Sequence, residues 1–111
     1  MTAPSSIDTG SNKADVLTDI VARVLSADAT EFEVENKGGE LEICAMRGPI
    51  GFGIATLQSS TEEAKALRRQ LYDLKKRKKI TINGIRYLLR VEIFESFLED
   101  VFRVEILRSG K

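Results

Sequence analysis

The 111-residue sequence contains no histidine, one cysteine and no long apolar run. Without histidine, the chain lacks the commonest general base and metal ligand at neutral pH, which argues against an enzyme or a metal site. The single cysteine, Cys44, excludes an internal disulfide and is typical of a reducing compartment. No segment approaches the roughly 20 apolar residues that span a bilayer. These absences predict a cytoplasmic protein without catalysis, cofactor or membrane insertion.

Charge is balanced overall but unevenly distributed. The chain carries 17 basic and 17 acidic residues, which argues against a dedicated nucleic-acid or membrane-surface protein. Residues 1–60 hold nine acidic and four basic residues, whereas residues 61–79 hold eight basic and three acidic ones. A locally basic surface is therefore expected in the second half of the chain.

Periodicity divides the first half into one helix and three strands. Residues 1–12 lack periodicity and are predicted to be a disordered tail, so that residues 13–111 form a single domain. Asn12 is a candidate helix cap, and apolar residues at helical spacing continue the helix to near Ala27. Alternating or apolar segments then predict strands over Thr30–Asn36, Glu40–Arg47 and Phe52–Gln58, with the ladder broken at 48–51.

The second half repeats this order. Ser60 and Glu63 have the spacing of a capping box, which predicts a helix that ends near Lys78. Asn83-Gly84 lies between alternating residues and predicts a tight hairpin, because both turn positions need a positive φ. The predicted strands are 79–82, 85–97 and 101–108, with a bulge or the sheet edge near Phe94. The fold class is therefore α+β, in the order α-β-β-β-α-β-β-β, with two helices on one face of a mostly antiparallel sheet.

The basic surface is the main candidate site. Its cations and one aromatic fall beside the leucine stripe of the second helix, and the predicted partner-binding residues are Arg68, Arg69, Tyr72, Lys75, Lys76 and Arg77. An acidic protein partner or a second copy of the chain would be bound there, and a homodimer could form if the long strand 85–97 or an uncovered strand edge paired with its copy. The phosphates of a nucleic acid are the alternative ligand of this basic surface. The simplest interpretation of the same residues is a solvated helix face that binds no partner.

Other patterns indicate structure more than chemistry. Glu31, Glu33 and Glu35 alternate along one strand, which fans the carboxylates in a row and favours a solvated face over a metal site. The glycines of 48–53 lack the spacing of a phosphate-binding loop. Tyr87, Arg90 and Cys44 are the polar groups that a small-ligand pocket could use.

In order and spacing, the chain resembles the N-terminal, non-catalytic subdomain of the type II secretion and type IV pilus assembly ATPases. The counterparts are Ala27–Glu35, Glu40–Ile43, Leu89–Val91 and Leu98–Leu107. The family's arginine-rich strand is replaced here by a strand carrying Glu42, Cys44 and Met46, and a Walker motif does not occur. The resemblance implies a PAS-like α+β fold and an interaction role without ATP hydrolysis.

These observations together predict a non-catalytic protein-interaction or self-association module, linked through the resemblance to a secretion or pilus assembly system. The alternatives are a nucleic-acid-binding domain that uses the basic helix, and a PAS-like domain that senses a small ligand.

Overall fold

Segments of alternating apolar residues form six strands and two amphipathic segments form helices, in the predicted order. A computed structural model of the protein describes residues 16–74, 77–96 and 99–109. The predicted tail 1–12 and the Asn12 cap lie outside these residues. The elements are α1 (Val16–Ser26), β1 (Glu31–Lys37), β2 (Glu40–Arg47), β3 (Ile50–Gln58), α2 (Glu62–Asp73), β4 (Lys78–Ile82), β5 (Ile85–Ser96) and β6 (Glu99–Arg108). The α+β fold class is confirmed.

All six strands form one antiparallel sheet in the order β3-β2-β1-β6-β5-β4. Two three-stranded meanders meet where β1 pairs with β6, with Phe32 opposite Val104 and Val34 opposite Phe102. The first and last strands of the described residues therefore lie at the centre of the sheet. β3 and β4 lie at its two edges, and α2 connects one edge to the other.

Both helices pack on one face of the sheet and share a single core with it. Val21 and Val24 of α1 and Leu67 and Leu71 of α2 are fully buried. The strands contribute a buried alternate set from β1, β2, β5 and β6, namely Phe32, Val34, Leu41, Ile43, Ala45, Leu89, Phe102, Val104 and Ile106. This packing confirms the predicted burial of the α2 leucine stripe, including Leu74. Within the described residues, neither helix has the length and apolar character that crossing a membrane requires.

Both ends of α2 differ from the prediction. Thr61, not Ser60, is the N-cap: the Ala64 N–H donates to Thr61 Oγ1 at 3.2 Å, and this threonine hydroxyl donates to the Gln58 carbonyl at 2.8 Å. The helix ends at Asp73 instead of near Lys78, because Lys78 already pairs with Leu89 in the sheet. Strand pairing overrides the helical propensity of the lysines here.

The hairpin turns show one confirmed and one wrong expectation. Asn83 and Gly84 both have positive φ, at 52° and 78°, as the predicted tight turn requires. The turn between β2 and β3 consists of Gly48 and Pro49 and not of residues 48–51, since Ile50 already pairs with Arg47. Proline is tolerated because it lies in the turn, outside the hydrogen-bonded ladder.

The predicted bulge near Phe94 is absent, and a bulge lies elsewhere. β5 and β6 stay in register from Tyr87 opposite Arg108 to Ser96 opposite Glu99. The register shift occurs instead between β2 and β3, where Ile43 pairs with Ala55 but Cys44 pairs with Gly53. The alternative explanation for Phe94, the sheet edge, fits the pairing, because β4 pairs only with residues 85–89 of β5.

Candidate interaction surfaces

The face of the sheet opposite the helices carries most of the strand charges. Alternation places Glu31, Glu33 and Glu35 of β1 on this exposed sheet face, and the same alternation applies along β6 and β5. Arg103 lies beside Glu33 and Glu92, and Arg90 beside Glu105, in adjacent strands. The acidic row predicted from the sequence is thus matched by arginines that arrive from the other half of the chain.

These charges are largely paired with one another. Arg103 Nε donates to Glu33 Oε2 at 2.8 Å, and the Arg103 guanidinium lies 5.8 Å from the centroid of the Phe94 ring. The hydrogen bond to Glu33 raises the pKa of Arg103, so the guanidinium stays charged. Arg90 forms a second ion pair with Glu105. No group of side chains in the described residues is arranged to hold a metal ion, and the row acts as a network of cross-strand pairs.

The polar groups considered for a ligand pocket do not converge. Arg90 lines a depression of about 300 Å³ on the exposed sheet face, together with Arg103 and Glu105. Tyr87 faces the other side, where it lines a depression next to α1. Cys44 lies on the exposed sheet face of β2, at the opposite end of the strand order from β5. Burial, followed by the Glu42 carboxylate, raises the pKa of the Cys44 thiol, which makes it a poor nucleophile at neutral pH.

The predicted basic surface is only partly available. Arg69 and Arg77 are exposed and Arg68 is half-buried, while Lys75 and Lys76 lie outside the described residues. Tyr72, predicted as an anchor for a partner, is engaged within the protein: its hydroxyl donates to Asp100 Oδ2 at 2.5 Å. Its ring also meets Phe102 edge-to-face, with the centroids 5.0 Å apart.

The Tyr72 contact has an electrostatic consequence. The hydrogen bond to Asp100 is the main cause that raises the pKa of the Tyr72 phenol, with burial second, while Arg68 acts in the opposite direction. Tyr72 therefore joins α2 to the start of β6, and its surface role as a partner anchor stays a prediction.

The two edges of the sheet differ in length and charge. β4 has five residues and opens with two exposed lysines, Lys78 and Lys79. β3 has nine residues, Ile-Gly-Phe-Gly-Ile-Ala-Thr-Leu-Gln, none of them charged and none a proline. Short length, lysine and β-bulges are common devices that limit pairing of an edge strand with another chain; β3 lacks the first two and contains one bulge, at Ile54.

The β3 edge, defined as the outer side of Ile50–Gln58, is also apolar. Ile50 is 67% exposed, and Phe52 and Leu57 are half-buried against the core. No other strand of the described residues pairs with this side. The bulge at Ile54 separates the edge into two short regular segments. This surface is not predicted from the sequence. The absence of charge over residues 50–58 indicates an interaction edge only when β3 is known to lie at the edge of the sheet.

Neither the models of known protein families nor the curated proteins match this chain.

Proposed function

We propose that the chain is a non-catalytic protein-interaction module that accepts an additional β-strand along the β3 edge. The observation that carries this proposal is the contrast between the sheet's two ends, a short lysine-bearing β4 and a long uncharged β3. An edge strand without charges presents a row of backbone N–H and C=O groups to a partner strand on either side of the Ile54 bulge. Main-chain hydrogen bonds then provide affinity, and side-chain contacts provide specificity.

The side chains of β3 support this mode of binding. Gly51 and Gly53 alternate with Ile50 and Phe52, so that the first half of β3 carries its apolar side chains on the helix side of the sheet. A strand added in the plane of the sheet can therefore place its own apolar residues beside Ile50 on that side. We expect partner strands with alternating apolar residues and little charge.

The resemblance to the secretion and pilus-assembly ATPase subdomain supports the same class of role. We place the module in the cytoplasm as part of this proposal, and a secretion or pilus assembly system is the setting that the resemblance suggests. The exposed cations Arg69 and Arg77 would then contact acidic residues of such a system away from the β3 edge.

A peptide-display selection tests the proposal directly. Nine-residue peptides selected on the purified protein should be enriched in alternating apolar residues and should protect β3 amides from hydrogen exchange. Thr56→Lys adds a charge to the β3 edge, and we expect it to weaken binding of the enriched peptides at least about tenfold.

The matched control is Thr81→Glu on β4. Thr56 and Thr81 are both exposed, and each lies opposite a charged residue, Glu42 and Arg86, that complements the introduced charge. Thr81→Glu should leave peptide affinity unchanged. Enriched peptides that bind the Thr56→Lys variant as tightly as the wild type, or that protect another strand, would disprove the proposed function.

The nucleic-acid alternative uses different residues and is tested separately. Binding through the basic surface should weaken steeply with salt and should be lost in the Arg69→Glu/Arg77→Glu variant. Titration with single-stranded and duplex nucleic acid at low salt measures both effects.

A further inference from the structure

We propose that the occupant of the β3 edge is β3 of a second copy, so that the protein forms a homodimer with a continuous antiparallel sheet. This inference rests on the proposed function and names the partner. A two-fold axis perpendicular to the sheet would place the two β3 strands side by side in opposite directions. Such a contact is isologous, since each copy contributes the same surface.

Charge complementarity favours a copy of this chain over a charged partner. The nine residues of β3 are uncharged, so self-pairing opposes no like charges across the new contact. The next strand, β2, carries Glu40 and Glu42 on its exposed face; Lys37 forms an ion pair with Glu42 at 3.6 Å, so Glu40 is the carboxylate that would repel an acidic incoming strand. Glu40 is already bonded to Gln58, whose side-chain amide donates to Glu40 Oε2 at 3.0 Å. In the dimer, the two uncharged β3 strands would therefore lie between the acidic residues of one β2 and those of the other.

Apolar exposure is also concentrated where a copy would cover it. Ile50, at the start of β3, is the most exposed large hydrophobic side chain among the described residues. Phe52 and Leu57 lie only half-buried on the helix side of the same strand. A two-fold axis perpendicular to the sheet keeps the helices of both copies on one side, so these side chains would meet apolar side chains of the second β3. Their further burial provides a hydrophobic contribution beside the backbone hydrogen bonds.

Closure explains why association would stop at two copies. Pairing of β3 with β3 uses the long uncharged edge of both copies at once. The joined sheet then ends on both sides in β4, whose exposed Lys78 and Lys79 oppose further strand addition. A head-to-tail contact of β3 with β4 would instead leave a free β3 edge and permit filaments.

Analytical ultracentrifugation of the full chain over a wide concentration range tests this inference. We expect the wild type to be in reversible monomer–dimer equilibrium, with hydrogen-exchange protection on β3 that increases with protein concentration. Thr56→Lys should raise the dimer dissociation constant at least about tenfold, since both copies then carry a charge at the contact. Ile50→Lys should act in the same direction, and Thr81→Glu should leave the dissociation constant unchanged. Circular dichroism establishes that each variant is folded.

The outcomes separate this inference from the function on which it rests. A wild type that stays monomeric at every concentration overturns the homodimer. The same protein binding selected peptides along β3 would then identify a different polypeptide as the partner and leave the proposed function intact. A dimer that persists in both Thr56→Lys and Ile50→Lys also overturns the inference, because another surface must hold it. Selected peptides that bind the protein without contacting β3 would overturn the proposed function itself.

Discussion

Tyr72 joins two parts of the chain that the sequence separates. Its hydroxyl donates to Asp100 at the start of β6, and its ring packs on Phe102, so one side chain attaches α2 to the last strand. Sequence reasoning identified the residue through its place among the cations of the helix. The side-chain contact explains that position in a different way, since the half-buried ring packs against the core and the hydroxyl bonds to Asp100.

The raised pKa of Tyr72 gives a prediction about high pH. The fold favours the protonated phenol, so its contribution to stability is present below the unfolded-state pKa and is lost as pH rises through the folded-state pKa. Asp100→Asn removes the carboxylate that is the largest cause of this shift, and we expect the Tyr72 pKa to fall. Phenolate absorbance measured in a Tyr87→Phe background reports Tyr72 alone. An unchanged titration in Asp100→Asn would contradict this account.

Arg103 illustrates why residue-scale roles depend on long-range pairing. Glu33 and Arg103 lie 70 residues apart in the sequence, and nothing local in either segment indicates their contact. The acidic row on β1 therefore looks unpaired in the sequence. The β1–β6 register supplies the missing cation, and that register follows from the fold of the whole chain.

At the scale of elements, alternation and spacing predicted nearly every helix and strand, whereas the ends were less predictable. The leucine stripe of α2 fixed its buried face correctly because helical period alone decides which residues share a side. The sequence predicts its last turn too far along the chain, because Lys78 and Lys79 suit a helix and a strand edge equally well in isolation. Pairing with Leu88 and Leu89 decides between these alternatives.

The N-terminus of α2 gives a sharp test at this scale. Thr61→Ala removes the oxygen that accepts from the Ala64 N–H, and we expect it to lower the free energy of unfolding by about 1 kcal/mol. Ser60→Ala is the matched control, because the preceding hydroxyl does not cap the helix in this structure. Urea denaturation measures both variants. A larger effect from Ser60→Ala than from Thr61→Ala would restore the capping box that the sequence suggests.

For the whole molecule, the fold class and element order could be predicted, but the strand order could not. Hairpins place β1, β2 and β3 next to each other, and likewise β4, β5 and β6, on local grounds. Which strands join the two halves depends on burial of Phe32, Val34, Phe102 and Val104 at the centre, and their spacing in the sequence gives no direct signal. The β3 edge was missed for this reason, since an edge is a property of the complete sheet.

The central position of β6 predicts unequal effects of truncation. Removing residues 99–111 deletes the strand that joins both meanders, and we expect loss of cooperative thermal unfolding and of dispersed amide resonances. Removing residues 1–12, a deletion of similar length at the predicted tail, should leave the melting temperature nearly unchanged. A C-terminally truncated chain that still melts cooperatively would show that the first half folds by itself.

The meeting of the first and last strands also constrains the order of events during synthesis. β1 is translated before the other strands of this sheet, yet its inner neighbour, β6, is translated after all of them. Until then, the nascent α-β-β-β half has two unsatisfied flanks, β1 and β3, and a half-covered apolar layer. Neighbouring chains on one polysome would meet at this stage, when strand exchange between them is easiest. Pairing of the sheet's centre therefore waits until β6 is available.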